Sequence, residues 1–240
     1  PFFPMKTAGS PNGVAKLQYN YTRLYINIHS HFPPADGDWV LQNLNTPEPP
    51  EALPGLYSMG IHPWYTDPVH WEKQFRTLRD YSTHPRVLAI GECGLDKVCK
   101  TPFSLQEEAF RNQVAWANSI GKPLVIHCVR AWEEVLKTLE EAAVTVPVIF
   151  HGFAKNAQLV CWFIAKGYYI SLGKALLHPA KETILLEIPK EQLFLETDDA
   201  AISIGEMYSI AARVLSIEHN SLVLQIQKNA AAVFGNAFQL

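Results

Sequence analysis

The sequence predicts an α/β fold, a (β/α)8 barrel of the TIM type with a shortened second β/α unit. Short apolar runs rich in Val, Ile and Leu alternate with longer stretches of helical periodicity, which indicates a parallel sheet covered by helices. Eight runs of this kind favour a closed barrel over an open sheet. The chain of 240 residues is also close to the roughly 250 that such a barrel needs.

The predicted strands are short, and polar residues follow most of them. They span residues 24–28, 39–44, 56–59, 87–90, 124–126, 146–150, 168–172 and 193–195. Helices are predicted at 103–120, 131–143, 156–166 and 206–217, and Ser104 with Glu107 predicts a capping box in the first of them. Residues 32–55 contain six prolines and leave no room for a full unit, so we expect a short second strand with its helix reduced or absent.

Residues 17–240 are predicted to form one barrel domain, after an N-terminal extension at 1–16 that is either natural or, ahead of Met5, left by cloning. We expect no membrane association, because no apolar run approaches about 18 residues and no signal peptide is evident. The four cysteines form no CxxC pair, which favours reduced thiols in a cytoplasmic protein. The net charge of −3 excludes a strongly basic nucleic-acid footprint, and no obligate protein partner is indicated.

Residues with metal-ligand chemistry cluster where the first strands end. His29 and His31 are two positions apart, so a strand would present both imidazoles on one face, although two ordinary loop histidines would read the same way. Glu92 follows the apolar run 87–90 and is flanked by glycines. Its carboxylate could bridge two cations, or it could be an acidic residue in a turn.

The later strands end in the same manner. His127 and His151 each terminate a nearly pure apolar run, a position where a lone histidine is more often structural. Asp198 follows the last strand and could bind a metal and accept a proton from water, or cap the next helix, a role that Asp199 could also fill. Taken together, the carboxyl ends of barrel strands form one active-site face, so the set predicts a metal centre there.

These motifs resemble the TatD-type metal-dependent hydrolases of the amidohydrolase superfamily. The resemblance covers nearly the whole chain and departs from the family pattern at Asn27, where the family has aspartate. The matching segments are NIHSHF, MGIHPW, IGECGLD, VIHC, IFHGF, LETD and KNAAAVFG.

The resemblance implies a (β/α)8 hydrolase that uses one or two divalent metal ions, with zinc, magnesium, manganese and nickel all open. It implies phosphodiesterase or deoxyribonuclease activity through metal-activated water, on DNA or a small phosphodiester. It would place two histidines and an aspartate on one metal, two histidines on the other, and a glutamate between them. The implied ligands are His29, His31 and Asp198; His127 and His151; and Glu92.

Glu92 and Asp198 are therefore the candidate catalytic residues. His62 would face the substrate, and basic residues in the loops, above all Arg130 and Lys155 but also Lys97 or Lys174, could hold a phosphate or be ordinary surface charges. Two other readings stay open. One is a metal-dependent amide or ester hydrolase of the same superfamily, and the other is a non-catalytic metal-binding scaffold.

Overall fold

In the computed structural model, which describes residues 25–34, 37–45 and 54–235, eight parallel strands form one sheet in chain order. Main-chain hydrogen bonds join its two edges. The N–H of His31 donates to the carbonyl of Asp198, and the N–H of Asp198 donates to the carbonyl of His29, each over 3.1 Å. The predicted barrel is confirmed. Its strands are β1 Ile26–Ser30, β2 Trp39–Asn45, β3 Leu56–Gly60, β4 Val87–Asp96, β5 Leu124–Val129, β6 Val148–Phe150, β7 Tyr169–Leu172 and β8 Leu193–Leu195.

Helices cover the outside of the barrel from β3 onwards. None of those within the described residues is both long and apolar enough to cross a membrane. Buried faces of these helices pack on the sheet, and Phe163 of the fourth helix stacks on Phe150 of β6 with ring centroids 4.0 Å apart. The helices are α1 Trp71–Ser82, α2 Phe103–Ile120, α3 Trp132–Glu141, α4 Ala157–Ala165, α5 Thr183–Leu186, α6 Ile204–Leu215 and α7 His219–Phe234.

The first strands are connected differently from the rest. β1 and β2 are separated only by residues 31–38, fewer than the dozen or more that a helical crossover takes. The C-terminal helix α7 packs against β1, and its Phe234 ring lies 5.3 Å from the Trp39 ring of β2. Helix α7 therefore covers the side of the barrel where the early connections are short.

The second strand lies where it was predicted, with one further residue at its end, but it is not short. β2 has seven residues, because it pairs in parallel with β3 in continuous register from Leu41 to Asn45 and with β1 on its other side. Ladder hydrogen bonds on both sides outweigh the weak strand preference of its asparagines. The helix expected to be reduced or absent after β2 would lie largely in residues 46–53, which are outside the described residues. The N-terminal extension at 1–16 is outside them as well.

The capping box was assigned to the wrong helix. α2 begins at Phe103 after Pro102, so Ser104 lies inside its first turn, and no side chain caps this end. The reciprocal pair occurs at α6, where Ser203 accepts from the N–H of Glu206 and the Glu206 carboxylate accepts from the N–H of Ser203. The helix after β8 thus has its own cap, and neither Asp198 nor Asp199 fills that role.

Two glycines flank Glu92 and fix the path of β4. The register between β4 and β5 shifts between Ile90 and Cys93, as in a β-bulge. A Cβ on Gly91 (φ +149°) would lie 2.5 Å from the Val125 carbonyl oxygen, and one on Gly94 (φ +146°) would overlap the carbonyl of His127. Only glycine allows β4 to lie this close to β5.

Candidate metal centre

Glu92 is the centre of the cluster at the carboxyl ends of the strands. Its side chain is buried, and its Oε1 atom is the meeting point of three imidazoles. It lies 2.8 Å from Nδ1 of His127, 2.7 Å from Nε2 of His151 and 3.1 Å from Nε2 of His62. The ends of β3, β5 and β6 therefore converge on a carboxylate carried by β4.

Asn43 of β2 holds the other side of Glu92. Its amide Nδ2 donates to Oε2 of Glu92 over 3.3 Å, and its Oδ1 accepts from the Glu92 main-chain N–H over 3.0 Å. Burial alone would raise the pKa of Glu92, but the charge on His151 and the imidazole hydrogen bonds hold that pKa well below its usual range. The carboxylate is therefore ionised at neutral pH and can attract a cation.

His29, His31 and Asp198 form the second part of the cluster. Asp198 Oδ1 lies 3.7 Å from Nε2 of His29 and 3.3 Å from Nε2 of His31. His29 Nε2 is also 3.5 Å from Oε2 of Glu92, which joins the two parts. Asp198 has φ +55°, a left-handed conformation that aspartate tolerates better than most residues and that is typical of functional sites.

The environment of His29 is the strongest test of whether a cation fits. The residue is fully buried, and among the described residues neither of its ring nitrogens has a hydrogen-bond partner. Burial, with the nearby charge of His151, lowers its pKa to about 4, so the ring is neutral at pH 7. A buried polar group without a partner is costly, and a metal on the free lone pair would remove the part of that cost that comes from this nitrogen.

The donor atoms are also close enough to share ions. Two sets within the described residues bring their ligand atoms within 4.8 Å of one another: His29, His31 and Asp198, and His29, Glu92 and His151. Mixed imidazole and carboxylate donors suit divalent first-row transition metals. The residues present therefore fit one or two divalent cations.

A third set contains His62, Glu92 and His127, but the hydrogen bonds of His62 argue against ligation. Its Nδ1 accepts from the main-chain N–H of Trp64 over 3.1 Å. In a neutral imidazole the other nitrogen then carries the proton, so Nε2 donates to Glu92. Burial lowers the pKa of His62, which keeps the ring neutral. His62 thus orients Glu92 from the cavity wall and has no free lone pair for a metal.

Sequence reasoning missed two carboxylates behind the histidines. Glu196 is fully buried; its Oε1 accepts from the Gly152 N–H over 2.8 Å and lies 3.5 Å from Nδ1 of His151. Asp96, also buried, places Oδ2 3.4 Å from Nε2 of His127. Burial alone would lower the pKa of His151, but Glu92 and Glu196 raise it well above its ordinary value.

Five of the six implied ligands and His62 line a single cavity, and the sixth, His29, lies buried beneath it. Lys174 lines the same cavity, 3.3 Å from Oδ2 of Asp198 and in contact with Asp199. Arg130 and Lys155 are exposed, and neither is part of this lining. Lys155 lines a groove between α3 and α4 instead. Lys97 is paired with Glu134.

Comparison with known proteins identifies the family. The sequence profile described as TatD related DNase matches residues 50–234, so the chain belongs to this family of barrel hydrolases. The match begins after His29 and His31, so it does not include these two histidines. Their inclusion in the candidate site rests on the structure alone.

The chain is similar to the uncharacterized metal-dependent hydrolase YabD of Bacillus subtilis, with 35% identity over 147 residues that cover 59% of this chain and 57% of YabD. It is 33% identical over 147 residues to the 3'-5' ssDNA/RNA exonuclease TatD of Edwardsiella piscicida, covering 58% and 55% of the two chains. The matched region therefore spans little more than half of these relatives. The crystal structure of the TatD homologue YJJV from Escherichia coli superposes with a TM-score of 0.78 at 20% identity, over 88% of this chain and 98% of that one, which supports the fold.

Proposed function

We propose that the chain is a metal-dependent hydrolase that cleaves phosphodiester bonds in nucleic acid. The observation that carries this proposal is the buried, ionised Glu92, on which imidazoles from three other strand ends converge beside the unpartnered ring of His29. If the cluster were purely structural, the ring nitrogens of His29 would be buried without a partner. In a metal centre, one of these nitrogens would bind the metal.

In this proposal the ligands divide into two groups that share a carboxylate. His29, His31 and Asp198 would hold one divalent ion, and His127 and His151 would hold a second, with the Glu92 carboxylate available to both. Zinc, manganese, nickel and magnesium all remain compatible with this donor set. When bound, such a metal supplies Lewis acidity toward a phosphoryl oxygen and lowers the pKa of water at the site.

Asp198 is the proposed proton acceptor. Burial would raise its pKa, but the hydrogen bond from His31 and the nearby His29 hold that pKa well below its usual range. The carboxylate stays ionised, lines the cavity and is placed to take the proton of the attacking water. Lys174, beside Asp198, contributes a positive charge that attracts the anionic phosphodiester.

Nucleic acid is the proposed substrate class for two reasons. The relative from Edwardsiella piscicida is named as a single-stranded DNA and RNA exonuclease. The cavity also combines the metal-ligand cluster with a cation and exposed aromatic rings, which suit the phosphate and the base of a nucleotide. The net charge of −3 favours local contacts at this cavity over broad electrostatic binding of a duplex.

The test is a hydrolysis assay on metal-free protein supplied in turn with Mg²⁺, Mn²⁺, Zn²⁺ and Ni²⁺. Single-stranded DNA, RNA, a simple phosphodiester and simple carboxylic esters form the substrate panel. We expect metal-dependent cleavage of the nucleic acids, lost in His127→Ala and Asp198→Ala and retained in His70→Ala, an exposed histidine of the loop before α1. Full nuclease activity in the first two variants would mean that a contaminant is responsible.

A further inference from the structure

Two aromatic side chains stand exposed at the mouth of the cavity. Trp64 and Tyr65 lie on the short turn Pro63–Tyr65 that follows β3, and their side chains are 55% and 53% exposed. Both line the cavity beside Glu92 and His127. Adjacent aromatic side chains left in water at the mouth of a polar cavity are candidates for ligand contact.

The Trp64 ring is held in place from below. Its indole N–H donates to Oδ2 of Asp96 over 2.5 Å, and the same oxygen lies 3.4 Å from Nε2 of His127. The indole and His127 ring centroids are 6.1 Å apart, and the His62 ring packs edge-on at 5.1 Å. A buried carboxylate therefore fixes the aromatic plane relative to the candidate metal ligands, which is the arrangement of a preformed platform.

The charges around the platform indicate what it contacts. Lys174 lies in the same cavity and would attract a phosphate, while the histidines and carboxylates would hold the metal. An aromatic plane next to a phosphate site suits a nucleobase, because a base can stack on indole whatever its identity. We propose that Trp64, assisted by Tyr65, stacks the base of the nucleotide whose phosphodiester lies over the metal centre. This inference rests on the proposed nuclease function.

The experiment compares three dinucleotides: thymidylyl-thymidine and two versions in which one base is replaced by an abasic residue. Trp64→Leu removes both the ring and the hydrogen bond to Asp96, whereas Trp64→Phe removes the hydrogen bond and keeps an aromatic face. Tyr81→Leu, at an exposed aromatic residue in α1, is the matched control. Steady-state KM and kcat are measured for each, together with metal affinity and Tm.

We expect Trp64→Leu to raise KM for the intact dinucleotide roughly ten- to a hundredfold, with a smaller change in kcat. For one of the two abasic dinucleotides, the unmodified chain should already show a KM as high as that of Trp64→Leu for the intact dinucleotide. The KM for this abasic dinucleotide should not rise further in Trp64→Leu. Trp64→Phe should keep most of the affinity, and Tyr81→Leu should behave as the unmodified chain. Unchanged metal affinity and Tm in Trp64→Leu would establish that the site and fold are intact.

Several results would overturn the stacking proposal. Equal losses in Trp64→Phe and Trp64→Leu would assign the effect to the Asp96 hydrogen bond. Equal KM values for all three dinucleotides with the unmodified chain would exclude base recognition while leaving the nuclease proposal standing. The metal-loaded chain could also cleave neither the dinucleotides nor longer nucleic acids. In that case the nuclease proposal fails, and the stacking proposal fails with it.

Discussion

The buried Glu196 provides the sharpest test of how the metal centre is organised. Its Oε1 atom accepts from the Gly152 N–H over 2.8 Å and lies 3.5 Å from Nδ1 of His151. A carboxylate behind a metal-binding histidine fixes the tautomer of the ring and makes its other nitrogen a better donor. We therefore expect Glu196→Gln to weaken metal binding without abolishing the fold.

The size of the effect follows from the contacts. Among the described residues Nδ1 of His151 has no hydrogen-bond partner, and it lies 3.5 Å from Oε1 of Glu196. Glu196→Gln therefore removes an electrostatic attraction rather than a short hydrogen bond, and its loss should cost roughly 1–1.5 kcal/mol. That is about a five- to tenfold weaker metal affinity. The glutamine oxygen can still accept from Gly152. Glu196→Ala removes this acceptor as well, so its metal affinity and its Tm should both fall further.

The assay is calorimetric titration of metal-free protein with Mn²⁺ and Zn²⁺. Glu141→Gln, at an exposed position in α3, is the control for the loss of one negative charge. A Glu196→Gln protein that binds metal as tightly as the control would refute the reasoning. A Glu196→Gln protein that unfolds at a much lower temperature, with unchanged affinity when folded, would give the residue a structural role instead.

Three further outcomes follow from the same structure. Saturating metal-free protein with Mn²⁺ at about 100 times its Kd should add about 2.7 kcal/mol of stability, seen as a higher Tm, and His29→Ala should lose this gain. Gly94→Ala should yield little folded protein by circular dichroism, because its Cβ would overlap a main-chain carbonyl. Gly121→Ala is the control: it has open space around it and should lower the free energy of unfolding in urea by only about 1 kcal/mol. Lys122→Met should lower the free energy of unfolding by roughly 2 kcal/mol, because the ammonium donates to three carbonyls between the end of α1 and the start of β4. Lys137→Met, at an exposed position, should change it by less than about 0.5 kcal/mol.

The strand pattern was predictable because each barrel strand is a buried apolar run. The sequence also located the residues that now converge, since polar side chains directly after such runs share one end of the barrel. β4 shows the limit: Gly91 and Gly94 read as the end of a strand, yet pairing continues to Asp96. Asp96 therefore fell outside the predicted strand, although it lies against His127.

Three helices were not predicted, α1, α5 and α7, and the two longer ones were hidden for a different reason. Helix α1 contains mostly charged and polar residues, and Leu78 is its single fully buried apolar side chain among those described. Helix α7 covers strands far away in sequence, so its buried face is decided by tertiary packing. Trp64 was missed because sequence periodicity cannot distinguish an exposed aromatic residue on a turn from one that belongs to the core.

The main-chain contacts that close the barrel are made by residues of the candidate metal centre. The bonds that join β1 to the segment after β8 involve the main chains of His29, His31 and Asp198. Asn27 reinforces the same seam, since its amide donates to Thr197 Oγ1 over 2.8 Å and accepts from the Thr197 N–H over 3.1 Å. An amide makes both bonds without adding a further negative charge near the ligands. A cation held by residues on both sides of the seam would therefore stabilise the closed barrel, which couples occupancy of the metal centre to folding of the chain.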